Sequence, residues 1–113
     1  MEPLNKKSGW FILLLLFSAT VSAQVNSSQV FADSYRYESS GDYQKAIAEL
    51  NVLNGYDYHK SLRLGWLYYL AKDYESSKKF YNQAIGLAPQ AVEALLGICY
   101  PLEAQKKTDE LET

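Results

Sequence analysis

The sequence predicts an all-α protein built of antiparallel helix pairs stacked side by side, and three observations predict it. Gly41-Asp42-Tyr43-Gln44-Lys45-Ala46-Ile47 recurs as Lys72-Asp73-Tyr74-Glu75-Ser76-Ser77-Lys78, and a fixed period in the low thirties marks a repeat architecture. Apolar and small residues on both sides of each Asp-Tyr pair fall at i, i+3, i+4 and i+7, the signature of an amphipathic helix. The strict alternation that a half-buried strand needs is absent over any useful length.

The first 23 residues read as an address rather than a fold. Lys6 and Lys7 give a positive start, Trp10–Phe17 an apolar middle, and Val21-Ser22-Ala23 small residues ahead of a cut before Gln24. That order is the pattern of a secretory signal peptide. The apolar run is shorter than the roughly 20 residues that span a bilayer. An uncleaved anchor is the alternative, and it is the only membrane contact expected. The Ser-Ala-Gln junction suggests a bacterial-type cell envelope, so the chain is expected to be exported, to the periplasm or beyond.

Cleavage leaves about 90 residues, a single small domain whose core is only marginally sufficient. Five helices are predicted in order. Val30, Ser34 and Tyr37 mark the first, over 28–40, and Gly41-Asp42 turns the chain. Ala46, Ile47, Leu50 and Leu53 mark the second, over 43–54, with Asn54-Gly55 as its stop. Ser61, Leu64, Gly65 and Tyr68 mark the third, over 58–71. The fourth, over 74–87, carries Ser77, Phe80, Tyr81, Ala84 and Ile85, and Pro89 blocks its continuation. A fifth, over 91–106, carries Leu95, Ile98, Cys99 and Leu102. In each pair a small residue is expected where the helices cross: Ser34, Gly65 and Cys99 on the first helices, Ala46 and Ser77 on the second.

Leu64-Gly65-Trp66-Leu67-Tyr68, Asp73-Tyr74, Tyr81, Ala84 and Pro89 resemble the tetratricopeptide repeat, whose pattern joins Leu-Gly-x-x-Tyr to a later small residue, an aromatic, an Ala and a closing Pro. Ser77 stands where the family usually has Ala. An earlier unit, about 27–57, keeps Tyr37, Gly41, Tyr43, Ala46 and Leu50 but has Asp33-Ser34 for Leu-Gly and is some three residues short. The second unit covers 58–91, and a partial third covers 92–113. Its register is open between Ile98-Cys99 and Leu96-Gly97-x-x-Tyr100, the first keeping the usual distance from Pro89. The resemblance implies a short solenoid of about two and a half repeats, in which each pair hides its apolar face only against its neighbour.

The resemblance also implies that first helices line a concave groove. Equivalent positions then place Tyr35, Trp66 and Tyr100 in a ladder, with Glu38, Tyr69 and Glu103 three residues on and Phe31, Leu62 and Leu96 one turn earlier. The candidate protein-binding groove is therefore Tyr35, Glu38, Leu62, Trp66, Tyr69, Tyr100 and Glu103, with the two carboxylates favouring a basic neighbour. Aromatic rings are common interface anchors. The alternative is that these rings are core, a serious one in a chain that is 14% aromatic.

Other chemistries find no support in the sequence. With 11 basic and 13 acidic residues there is no basic stripe of a nucleic-acid binder. His59 is a lone histidine without partners at ligand spacing, so no metal is expected. Cys99 is a lone thiol, expected to be buried at a helix crossing rather than to act as a nucleophile. No phosphate loop or catalytic constellation is present, and neither enzymatic activity nor a cofactor is expected. The expected function is a non-enzymatic scaffold of the cell envelope that holds a protein or peptide in the groove. The second reading is a structural segment, self-associating through the apolar helix 91–106, or the front part of a longer array.

Overall fold

The computed structural model describes residues 25–112; the expected signal segment, 1–23, lies outside them. Six helices follow one another: α1 Ser27–Ser39, α2 Tyr43–Leu50, α3 Tyr58–Leu70, α4 Tyr74–Leu87, α5 Val92–Gly97 and α6 Cys99–Glu112. Among the described residues there is no strand. Helix α1 packs on α2 and α3 on α4, α2 joins the two pairs, and α5 and α6 lie against the second pair.

The recurring Asp-Tyr is a helix start. Asp42 accepts from the Lys45 amide at 3.2 Å and Asp73 from the Ser76 amide at 3.2 Å, so each aspartate satisfies one orphan N–H of the helix it precedes. Asn26 and Asp57 do the same for α1 and α3, at 3.3 and 2.8 Å. The turns ahead of α2 and α4 are also alike. Asp42 N–H reaches Tyr37 O and Gly41 N–H reaches Glu38 O, matched by Asp73 to Tyr68 O and Lys72 to Tyr69 O. This double closure needs a left-handed residue; Gly41 supplies it at φ +80°, and Lys72 adopts it at φ +65°.

Two helix predictions need correction. Helix α2 ends at Leu50 rather than 54, and Val52 and Leu53 turn tightly onto the carbonyls of Glu49 and Leu50. The cause is Lys60, only 3% exposed. Its ammonium donates to Leu53 O at 2.8 Å and Gly55 O at 3.0 Å, under the Tyr56 ring. The loop wraps the buried cation instead of continuing the helix. Burial lowers the Lys60 pKa, with nearby Asp57 opposing the shift. The helix predicted over 91–106 is broken at Ile98 and runs on to Glu112. Pro101 has no N–H for the Gly97 carbonyl, while Ile98 to Ala94 and Leu102 to Ile98 bonds carry the chain through the break.

The core lies in two clusters. Val30, Ala46, Ile47, Leu50, Leu64 and Leu67 join the first two pairs, and Tyr81, Ala84 and Ala94 join the second pair to α5. Leu50, Leu64 and Leu67 are fully buried, each contributing about 2 kcal/mol of transfer free energy. The crossings use the small residues expected of them. Ser34 Oγ donates to Ala46 O at 2.9 Å and Ser77 Oγ to Gly65 O at 2.7 Å, all within the buried interior. Cys99 departs from expectation: it is exposed. Its place in the third unit matches Gly65, but the chain continues as α6 to Glu112, and among the described residues no second helix lies over it.

Candidate functional site

Helices α1, α3 and α5 line one face of the stack and enclose an open groove of about 1080 Å³. Phe31 and Tyr35 come from α1, Leu62 and Trp66 from α3, and Leu96 and Tyr100 from the α5–α6 segment. The helical rise brings residues four apart onto one face, which is why the ladder inferred from equivalent positions lies along one groove. Tyr35 is 54% exposed, Tyr100 54% and Leu96 67%, while Trp66 and Leu62 are half-buried and pack beside Tyr81 and Ala84. Trp66 is thus both groove wall and core edge.

Tyr69 and Glu103 line an adjoining hollow with Leu96, Cys99 and Tyr100. Ring contacts join the two: Trp66 to Tyr69 at 5.5 Å, Trp66 to Tyr100 at 5.8 Å and Tyr69 to Tyr100 at 5.5 Å. Such tilted and edge-on pairs add about 1 kcal/mol each beyond their buried area. The three rings form a braced triangle where α3 meets α6.

Glu38 lines the groove, but its charge is engaged. Arg63 donates through Nη1 to Glu38 Oε1 and through Nη2 to Ser34 Oγ, and its guanidinium lies 3.9 Å over the Tyr35 ring. Arg63 is 7% exposed and its Nε has no partner. The expected attraction of Glu38 for a basic neighbour is therefore met inside the molecule. Sequence reasoning missed Arg63; the signal was a cation at the buried spacing Lys60, Arg63, Leu67, though its acceptor lies a helix pair away.

Carboxylates gather at the α5 end instead. Tyr58 donates from its hydroxyl to Glu93 Oε2 at 3.0 Å, tying α3 to α5. The Glu93 carboxyl is held below its usual value by the helix-start amide and by Tyr58, with His59 adding to the effect. Burial and the facing carboxylate raise the Tyr58 phenol. Asp57 and His59 line the groove beside them. Beneath the groove Tyr81, 2% exposed, is pushed up to about 12 by burial, with smaller effects from Tyr100 and Tyr69. Among the described residues no cluster of His, Cys, Asp and Glu could hold a metal ion, and no helix is long and apolar enough to cross a membrane.

The tetratricopeptide repeat profile matches residues 61–91, which is most of α3 and all of α4. That match, with the like-built pair preceding it, supports a tetratricopeptide-type protein and, in general terms, a module for protein–protein interaction. No curated protein and no solved structure matches the chain.

Proposed function

We propose that this protein is a non-enzymatic scaffold of the cell envelope whose groove holds an apolar segment of a protein partner. The observation that carries the reading is the ladder Phe31–Tyr35, Leu62–Trp66 and Leu96–Tyr100. Three successive first helices leave large apolar side chains half open to solvent along one concave face. Contiguous apolar surface of this kind marks a docking site, and centrally placed aromatics carry most of the binding energy in such sites. Glu93 and Asp57 at one end favour a basic residue next to the apolar segment.

Peptides selected from a random library against the intact protein test this reading. Trp66→Ala, with helicity checked by circular dichroism, is expected to weaken selected peptides at least tenfold. Peptides that bind Trp66→Ala and Leu62→Glu as well as the parent would contradict it. Export rests on Lys6-Lys7, Trp10–Phe17 and Val21-Ser22-Ala23. The intact mass of protein recovered from the envelope is expected to begin at Gln24, and a mass that includes residues 1–23 would mean a retained anchor.

A further inference from the structure

The floor of the groove is banded, because residues three or four apart on each first helix share a face. Phe31, Leu62 and Leu96 make an apolar band, and one turn nearer the helix starts Ser27, His59 and Glu93 make a polar one. Two other carboxylates of the groove are committed. Glu38 is paired with Arg63, and Asp57 accepts from the Lys60 amide at 2.8 Å and acts on the buried Lys60 ammonium. Among the described residues no Lys or Arg, nor His59, stands within ion-pair distance of Glu93. What Glu93 does have is a fixed position. Its Oε2 accepts from the Tyr58 hydroxyl at 3.0 Å, and Tyr58 is half-buried against the cluster of Tyr81, Ala84 and Ala94. The helix-start amide and this hydroxyl also favour the ionised carboxylate.

We infer that Glu93 reads a lysine or arginine side chain of the segment held in the groove, with Tyr58 as its positioning residue; this rests on the groove being the docking site. The neighbouring band says what carries the charge. A bare cation gains nothing from apolar surface, whereas a Lys or Arg lays its methylene stem on Leu62 and Leu96 and keeps its charged head toward water. Glu93 and Leu96 are three residues apart on one helix face, so head and stem have adjoining places. Because Tyr58 holds Glu93, little side-chain freedom is left to lose when the cation arrives. Glu93 is exposed at the rim, so the pair sets which segment binds more than how tightly, and salt screens it.

The test uses peptides selected against the intact protein whose binding depends on Trp66. Each is paired with a copy in which norleucine, an uncharged stem, replaces the basic residue. The parent chain is expected to prefer the charged peptide about threefold, and about 1 M sodium chloride to close the gap. Glu93→Gln should abolish the preference and Glu93→Lys reverse it, with circular dichroism checking that both variants stay folded. Tyr58→Phe should narrow the gap; equal weakening of both peptides would overturn its positioning role. Trp66-dependent peptides without a basic residue, or a preference that survives Glu93→Gln, would overturn the inference and leave the groove as a docking site. Peptides indifferent to Trp66→Ala would sink the docking site and this inference together.

Discussion

The two joints between units occupy the same places in the repeat and are made of opposite materials. Where the second unit meets the first, α3 points Lys60 and Arg63 backwards, and both charges are buried among polar partners: two loop carbonyls for one, Glu38 and Ser34 for the other. Where the third meets the second, the equivalent places on α5 hold Ala94 and Gly97, and the contact is ring against backbone. A Cβ built on Gly97 would stand 2.4 Å from Tyr81 Cε1, and one on Gly65 2.8 Å from the same ring. Volume is traded across each joint. Leu50 in α2 stands where α4 has Tyr81, so the smaller residue goes with long cationic side chains and the larger ring with glycine. One backbone arrangement therefore accepts two chemistries, provided the sum of what meets is kept.

The first way to break this comparison is to remove an anion from the polar joint. Glu38→Ala leaves the Arg63 guanidinium buried without its counter-charge and is expected to cost about 2 kcal/mol, below the range for fully buried pairs because Glu38 keeps some solvent contact. Arg63→Met removes the charge together with the need to solvate it, and such exchanges are often nearly neutral. Chemical denaturation of both variants checks the asymmetry; equal losses would mean that the pair itself, not the stranded cation, sets the energy.

At the ring-against-backbone joint the effect is smaller and turns on a second site. Gly97→Ala crowds Tyr81 but gains helix propensity, for a net loss of about 1 kcal/mol. In a Tyr81→Leu background, which copies the Leu50 arrangement, the same change is expected to be neutral or stabilising. A double-mutant cycle should return a coupling of about 1 kcal/mol, and additive losses would show that the volume trade is not real.

The joint between the second and third units also carries a pH-sensitive contact. Glu93 has a depressed pKa, so its contribution through Tyr58 is present above the unfolded glutamate value near 4.3 and is lost as pH falls through the folded value below it. Tyr58→Phe should lower stability at neutral pH by a small amount that disappears in acid. Denaturation of both proteins at pH 7 and pH 3 checks this; a difference that persists at pH 3 would assign the effect to packing.

Residues close in sequence were legible, and residues close only in space were not. Asp42 and Asp73 announce their helices because a cap acts over three residues. Ser34, Ala46, Gly65 and Ser77 were readable as crossings because the period sets them opposite one another. Phe31, Tyr35, Leu62, Trp66, Leu96 and Tyr100 fall along one groove for the same reason. The Arg63–Glu38 pair spans two helix pairs and left no local mark; Lys60 is the exception, since its carbonyl partners lie only five and seven residues back, yet a lysine at that spacing reads as solvated unless its burial is known. Cys99 was placed in the slot equivalent to Gly65, yet its burial depended on a second helix that none of the described residues supplies. Pro101 was legible in principle, since a residue without an N–H must leave one carbonyl of a helix unpaired.

The stacking of units rests on Tyr81 lying between two glycines, one from its own pair and one from the next. Proton NMR of the intact chain measures this directly through cross-relaxation of the Tyr81 ring with the α-protons of Gly65 and Gly97. Strong cross-peaks to both, with both glycines shifted upfield by the ring current, are the predicted result. Cross-peaks to Gly65 alone would contradict it, because α5 would then not be stacked on the second pair.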